Sequence, residues 1–333
     1  MGSKCGRAGR TFGLVAFIAA GCGSDSVGPQ PQPQPPDSIP TVPSTLSLSL
    51  DWSTYLGRGN FEEAREPIAL GGGRVLFSLR TLSTNMPTTG GAFQSQFGGH
   101  SDTYLGILSA DGSTLEAATY FGGSGMERPA YGMELTTDGD IVFTSGTNST
   151  DLPATSGRYL AQNNSPVDAG YVCRVSPTLT AIRWCTYLDA WPRGGLALTP
   201  SNEIIVVGHI LQGSLFTATP GAYQSAQRGF DDAFVMKLSA DGRTAAFKTR
   251  LGGTGNRIGE VAISATYIQG DIVVSGVSQS QDFPVTPGAF QTQSLGPSDF
   301  FVARLSGDGS QLEYSTLLSG SDIDAPAHRD AAT

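Results

Sequence analysis

The sequence has few of the groups that bind polyanions. Only 15% of its 333 residues are charged, and acidic residues outnumber basic ones to give a formal net charge of −9. No stripe or cluster of Lys and Arg occurs in the body of the chain. Because nucleic-acid-binding proteins neutralise phosphates with such clusters, we predict that nucleic acid is not a partner.

Histidine is scarce, and common catalytic motifs are missing. The chain has three histidines and contains no G-x-S-x-G elbow, no HExxH pair and no P-loop. His100 lies beside Ser101 and Asp102, but adjacent residues seldom adopt the geometry of a catalytic triad. Acidic turns such as the one at Asp111 lack the ligand spacing of an EF-hand. We therefore predict no catalytic residue, no metal site and no cofactor, with an enzyme kept as an alternative.

Long apolar runs are also rare, and the clearest one lies near the N-terminus. Lys4, Arg7 and Arg10 precede an apolar stretch at residues 12–20, which is too short to span a bilayer as a helix. A basic segment followed by a short apolar segment is typical of a signal peptide. We predict that residues 1–21 form such a signal.

Small residues lead from this apolar stretch to Cys22. The sequence Ala19-Ala20-Gly21-Cys22 resembles the lipobox of bacterial lipoproteins, although Ala19 stands where Leu is more usual. The resemblance implies that Cys22 becomes the lipidated first residue and anchors the protein to a membrane. It implies a place in the bacterial cell envelope, as an outer-membrane lipoprotein or at the cell surface. An ordinary secretory signal with a nearby cysteine is the alternative.

Residues 22–44 form a Pro/Gln-rich linker, in which Pro and Gln alternate over residues 29–36. Such a sequence disfavours helix and sheet and favours a semi-rigid polyproline spacer of about 3 Å per residue. We predict a stalk that lifts a folded domain, residues 45–333, away from the membrane.

The predicted domain is built from repeats. A Thr-Tyr-Leu-Gly element and its variants recur with Thr at positions 54, 119, 186, 249 and 316, which are 65, 67, 63 and 67 residues apart. A nearly constant period of this length indicates a repeat architecture. Each repeat contains a hairpin pattern, a Pro/Gly-rich connector and a second hairpin pattern, so we predict four strands per repeat and no helix. Four short strands per repeat indicate one propeller blade per repeat.

Several segments resemble the bacterial β-propeller repeat family known as SBBP. They are WSTYLG from Trp52, DAFVMKLSADG from Asp232, GDIVVSG from Gly270 and DFPVTPGAFQ from Asp282. The resemblance extends over about residues 46–320, and it is stronger in the third and fourth repeats than in the first two. It implies an all-β propeller in a secreted or surface protein, and it implies no substrate.

The number of strands leaves the closure of the propeller open. Residues 46–56 look like one more copy of the last strand of a repeat, and residues 319–333 look like the opening of a fifth repeat. We predict four blades of four antiparallel strands with one surplus terminal strand. An open ring, a five-bladed ring and a ring completed by another copy are the alternatives.

Two cysteines lie within one repeat. Cys173 and Cys185 fall on the two strands of the second hairpin of the second repeat. In an oxidising compartment such a pair forms a cross-strand disulfide when the register permits, so we predict this bond. Two buried thiols held apart by their register are the alternative.

Trp184, Trp191 and Arg193 cluster near the junction of the second and third repeats. Core packing accounts for such residues, and an exposed aromatic pair beside Arg would instead predict a ligand contact. We predict a membrane-anchored binding or scaffold module for an unknown protein or glycan. The alternatives are a hydrolase or lyase with its site at the propeller channel, and a purely structural surface protein.

Overall fold

A computed structural model of the protein describes residues 50–65, 67–255 and 259–321. Across these ranges the fold is all-β, with one 3₁₀ turn at Gly71–Gly73. The predicted signal, the linker with Cys22 and the last twelve residues lie outside the described residues. Within these same ranges, no helix is both long and apolar enough to cross a membrane.

The strands form four antiparallel sheets, one in each repeat. Sheet 1 comprises β1 (Glu62–Ala64), β2 (Ile68–Ala69), β3 (Val75–Thr81), β4 (Asp102–Leu108) and β5 (Leu115–Phe121). Sheet 2 comprises β6 (Gly132–Leu135), β7 (Ile141–Thr147), β8 (Ala169–Val175) and β9 (Ile182–Leu188). Sheet 3 comprises β10 (Leu196–Leu198), β11 (Ile204–Ile210), β12 (Asp232–Leu238) and β13 (Ala245–Leu251). Sheet 4 comprises β14 (Val261–Ile268), β15 (Asp271–Ser278), β16 (Asp299–Leu305) and β17 (Leu312–Leu318).

Each sheet is a meander in which sequential strands pair. Sheet 1 differs only in that its first strand is divided into β1 and β2, which both pair with β3. These pairings confirm the predicted four-stranded unit, and apart from the 3₁₀ turn the described residues of the repeats contain no helix. Residues 50–56 form no strand, although a surplus strand was predicted there, because no strand of the described chain pairs with them.

Burial of the strands differs between the middle of the chain and sheet 4. β7 and β11 are buried at every position, which requires cover on both faces of the sheet. β15 and β16 instead alternate between buried and half-buried residues. Sheets 2 and 3 therefore lie between neighbours, whereas one face of sheet 4 is less covered.

Asp-Gly pairs make the turns between the last two strands of three sheets, as predicted. Gly112, Gly242 and Gly309 have φ values of 65°, 67° and 70°, a region that favours glycine. In the turn of sheet 4, the Asp308 carboxylate accepts hydrogen bonds from the hydroxyls of Ser306 and Ser310. These bonds lower the pKa of Asp308 to about 2. These carboxylates therefore stabilise their own turns.

Apolar cores join each sheet to the next. One core combines residues of sheets 1 and 2, such as Phe121 and Phe143, whose ring centroids are 5.4 Å apart. A second core joins sheets 2 and 3, and a third joins sheets 3 and 4. Burial between sheets stabilises a repeat that cannot cover its own apolar surface.

The predicted disulfide is present. Cys173 and Cys185 are directly opposite in the β8–β9 register, with Cα atoms 4.1 Å apart, and their sulfur atoms are bonded. Both residues are buried in the core between sheets 1 and 2. The bond therefore links two strands that already pair, inside an apolar interface.

Candidate functional site

The first strands of the four sheets meet at one cavity of about 400 Å³. Each sheet contributes its first strand or the residues immediately before it, so the repeat itself brings these positions together. The lining residues are Arg65, Pro67, Ile68, 130–134, Arg193, Gly195, Leu196 and 263–265. A concave site built by several rigid elements is the usual form of a ligand-binding site.

Arginine and aromatic side chains alternate beside this cavity. The Arg65 guanidinium lies 5.3 Å from the centre of the Tyr131 ring. The guanidinium groups of Arg128 and Arg193 lie 5.6 and 5.9 Å from the Trp191 ring. These distances are within the range of cation–π interactions, so the aromatic rings hold the arginines in place. We call these five residues the arginine–aromatic cluster.

Arg80 on β3 adds another guanidinium next to the cluster. Burial lowers the pKa of Arg80, and the nearby charge of Arg128 lowers it further, while Glu63 opposes the change. Glu63 also forms an ion pair with Arg65 at 2.9 Å. Positive charge is thus concentrated in one place on an otherwise acidic protein.

His209 lies behind the cluster as a neutral ring. Its ring centroid is 5.3 Å from that of Trp191, and it is only 2% exposed. Burial, together with the charge of Arg193, lowers the pKa of His209 to about 3. Neither ring nitrogen has a hydrogen-bond partner, and the Trp191 indole nitrogen has none. His209 therefore acts here as a packing group for Trp191.

The structure separates the three residues predicted as ligand contacts. Trp191 and Arg193 lie together in the cluster, and Arg193 lines the cavity. Trp184 is 4% exposed on β9, where its ring packs against Gly242 in the hairpin turn of sheet 3. Trp184 thus has the core role, and the sequence proximity of the two tryptophans does not make an exposed pair.

Sequence reasoning missed Arg65, Arg128, Tyr131 and Glu134. Their common signal is position, because all lie in or just before the first strand of a repeat. Burial raises the pKa of Glu134, which lines the cavity. Among the described lining residues Glu134 is the single carboxylate, and none is histidine. The ranges that the structure describes also hold no group of three or more His, Cys, Asp or Glu side chains placed to bind a metal.

A second polar feature lies at the interfaces between sheets. Asp102 begins β4 of sheet 1, and Glu127 precedes β6 of sheet 2. A Cβ atom added to Gly122 would lie closer than 3.0 Å to both Asp102 Oδ1 and Glu127 Oε2, so the two carboxyl oxygens face one another across this glycine. Both residues are fully buried, and Asp102 Oδ1 has no hydrogen-bond partner.

The proximity of two buried acids changes their protonation. Burial raises the pKa of Asp102 to about 7, and the charge of Glu127 contributes to the rise. Burial also raises the pKa of Glu127, although hydrogen bonds from Ser149 and Thr147 oppose it. Protonation of Asp102 would remove the repulsion between the two buried carboxylates, as in other carboxyl pairs.

The interface between sheets 3 and 4 repeats this arrangement. Asp232 begins β12, Glu260 precedes β14, and Gly252 separates Asp232 Oδ1 from Glu260 Oε2. Burial raises the pKa of Glu260 to about 7, and the charge of Asp232 contributes. Two of the three interfaces between sequential sheets therefore contain an acid pair of the same construction.

The interface between sheets 2 and 3 uses a different polar contact. Ala169 begins β8, in the position that Asp102 and Asp232 occupy in their sheets. Asp189 follows β9, where glycine follows the last strand of sheets 1 and 3, and it forms an ion pair with Lys248 at 2.5 Å. An ion pair thus replaces the acid pair.

Comparison with known proteins gives no family. No protein-family model matches the chain, and no curated protein matches it. The four sheets, the cavity and the arginine–aromatic cluster are therefore the features from which a function can be inferred.

Proposed function

We propose that the protein is a lipid-anchored, β-propeller-type binding module of the bacterial cell envelope or surface. The four sheets would be four blades arranged around the cavity, as the resemblance to SBBP repeats implies. This assignment is supported by one meander per repeat and by the presence of the first strand of every sheet at the same cavity.

The observation that carries the binding function is the convergence of four sheets on a cavity whose lining includes two arginines, one carboxylate and one aromatic ring. Tyr131, Arg65 and Arg193 line the cavity, so one aromatic ring and two guanidinium groups form part of its wall. Aromatic faces and fixed donors are the groups with which proteins bind sugar rings and peptide side chains. A protein segment or a glycan is the proposed ligand.

Obstruction of the cavity provides the test of this proposal. Ser264 is exposed on β14 and lines the cavity, so Ser264→Trp is expected to occupy it with an indole. We expect glycans and peptides that the unaltered protein binds on arrays to lose at least tenfold in affinity.

The matched control is Thr266→Trp, which adds the same ring two residues further along β14, away from the cavity lining. We expect Thr266→Trp to bind as the unaltered protein does. Equal binding by both variants would show that the cavity is not the binding site.

The membrane anchor is a separate part of the proposal. We expect Cys22→Ala to move the protein from the membrane fraction to the soluble fraction, because no acyl chain can then be attached. Cys5→Ala is the control, since Cys5 lies within the predicted signal and should not affect anchoring. A Cys22→Ala protein that still sediments with membranes would contradict the anchor.

The two alternative functions have less support. A hydrolase or lyase would need an acid and a base at the cavity, where the described lining supplies Glu134 alone as a titratable carboxylate. A purely structural protein would have no use for a cluster of arginines held against aromatic rings. The binding module is therefore the function that the geometry favours.

A further inference from the structure

The outer face of sheet 4 exposes apolar residues that the other repeats bury. Tyr314 and Leu318 on β17 are 39% and 41% exposed, and Phe290 in the preceding connector is 71% exposed. The residues equivalent to Tyr314 and Leu318 in the other sheets are at most 7% exposed. They are Ala117, Phe121, Trp184, Leu188, Phe247 and Leu251. We call Phe290, Tyr314 and Leu318 the exposed sheet 4 face.

In the other repeats, the following sheet covers these positions through a recurring contact. The backbone N–H of the connector aromatic donates to a carbonyl in the hairpin turn of the next sheet. The three bonds join Phe93 to Leu179 at 3.2 Å, Tyr159 to Gly242 at 2.8 Å, and Tyr223 to Gly309 at 2.9 Å. Phe290 is the fourth connector aromatic, and the described chain places no following sheet against it.

The same hairpin turns receive an aromatic ring from the last strand of the preceding sheet. Trp184 packs on Gly242, and Phe247 packs on Gly309, so closely that a Cβ on either glycine would collide with the ring. Tyr314 is the equivalent residue of β17, and it remains exposed. The exposed sheet 4 face thus has the connector aromatic and the β17 aromatic of this contact. The described residues supply no hairpin turn of a following sheet to pack against them.

The acid pairs show the same incompleteness. Asp299 begins β16, as Asp102 and Asp232 begin their strands, and it is 1% exposed. Its Oδ1 atom has no hydrogen-bond partner in the described structure. In the other two cases the second carboxyl comes from the segment before the next sheet. Asp299 therefore corresponds to the Asp of an acid pair, and the second carboxyl of that pair would come from a further sheet.

The first repeat shows the opposite half of this interface. Gly57 corresponds to Gly122 and Gly252, and a Cβ added there would meet Glu62 without an Asp carboxyl from another sheet. Trp52 packs on Gly112, and its indole donates to the Ala110 carbonyl at 2.8 Å. The Trp52 segment thus occupies, against sheet 1, the place that the last strand of the preceding sheet occupies in the other interfaces, although it forms no strand itself.

We propose that the exposed sheet 4 face docks one further β-sheet of this same repeat type, supplied by a partner polypeptide. The docked sheet would place a glycine-containing hairpin turn against Phe290 and Tyr314, and a carboxyl against Asp299. The basis is continuity with the interface that already occurs three times in the chain. This proposal rests on the blade assignment above and adds a fifth sheet to an open arrangement of four; Phe290, Tyr314 and Leu318 are not among the residues that line the cavity.

A covalently supplied sheet is the probe. In this variant a second copy of residues 252–311 replaces residues 319–333, so that the first three strands of sheet 4 and the turn after them follow β17 as they follow β13 in the chain. The Trp52 segment stands in the place of the fourth strand. We expect amide hydrogen exchange at residues 286–292 and 312–318 to slow by at least tenfold, and the appended strands to be protected.

The control carries Phe290→Asp and Tyr314→Asp in sheet 4 of the same fusion. Both residues are exposed, so the four sheets should fold as before, while the charges prevent docking. We expect fast exchange at residues 312–318 and in the appended strands of this control.

Three results would overturn the proposal. They are an appended sheet that stays unprotected beside four intact sheets, equal protection in the control, and a concentration-dependent dimer of the unaltered protein that buries Phe290. The last result would make a second copy the occupant. None of them alters the Ser264→Trp test, so the cavity and the docking surface succeed or fail independently.

Discussion

Thermal unfolding of the stalkless domain is expected to occur at a higher temperature at pH 5 than at pH 8. Asp102 and Glu260 each have a pKa of about 7 in the folded protein, against 3.8 and 4.5 in the absence of burial. The folded state therefore binds more protons than the unfolded state between about pH 4 and pH 7. Stability then decreases as pH rises through that window, because the proton must be lost from a buried group.

The effect should be large. A shift of about three pKa units corresponds to about 4 kcal/mol at one group, as each unit is worth about 1.4 kcal/mol. For a domain of this size, 1 kcal/mol changes Tm by roughly 2–4 °C. Buried His209 opposes this trend, because its pKa of about 3 means that the unfolded state binds a proton there at pH 5 and the folded state does not. Relaxation of the buried sites reduces the effect further, and we expect Tm at pH 8 to be lower by several degrees, roughly 5 °C, measured by scanning calorimetry.

Single variants separate this effect from the general repulsion of an acidic protein. Asp102→Asn keeps the shape of the side chain and removes the buried charge that Asp102 carries above its pKa, so we expect a higher Tm at pH 8 and a weaker pH dependence. Glu116→Gln removes one charge at an exposed position and is the matched control. If the two variants change the pH profile equally, the acid pair does not govern stability.

The sequence predicted the fold where the interactions are local. Sequential strands pair through short turns, so the alternating pattern and the Asp-Gly pair at Asp241 suffice to locate a hairpin. The disulfide followed for the same reason, because Cys173 and Cys185 lie on the two strands of one hairpin. The division of the first strand of sheet 1 into β1 and β2 has no such local signal.

The candidate site depends on contacts between repeats, which local patterns do not reveal. Arg65 and Tyr131 are 66 positions apart and belong to different sheets, so their contact follows only from the packing of sheets 1 and 2. Phe93 and Phe290 occupy equivalent positions in sequence, yet only the first is covered. The difference depends on whether another sheet follows, and no property of the residue itself shows it.

Lys248→Met is expected to be the most destabilising single change at the interface of sheets 2 and 3. Lys248 and Asp189 are 7% and 13% exposed, and the ammonium group also donates to the Tyr159 hydroxyl at 2.7 Å. Met preserves the length of the side chain and removes the charge, which leaves Asp189 buried without its cation. Loss of one partner of a buried ion pair costs about 3–5 kcal/mol, so a clear decrease in the free energy of unfolding should appear in denaturant titrations.

Replacement of both partners should recover much of this loss. In Lys248→Met with Asp189→Leu, neither member of this ion pair remains, and replacement of a buried ion pair by apolar groups often leaves stability unchanged.

Arg243→Met is the surface control, because its ion pair with Asp241 is more than half exposed on both sides and should contribute about 0–1 kcal/mol. If Lys248→Met lowers the free energy of unfolding by no more than Arg243→Met does, solvent reaches Asp189. The interface between sheets 2 and 3 would then be less tightly packed than the structure shows. A double variant as unstable as Lys248→Met would instead mean that the contact of the ammonium nitrogen with the Phe216 ring, whose centroid is 4.6 Å away, determines the stability of this interface.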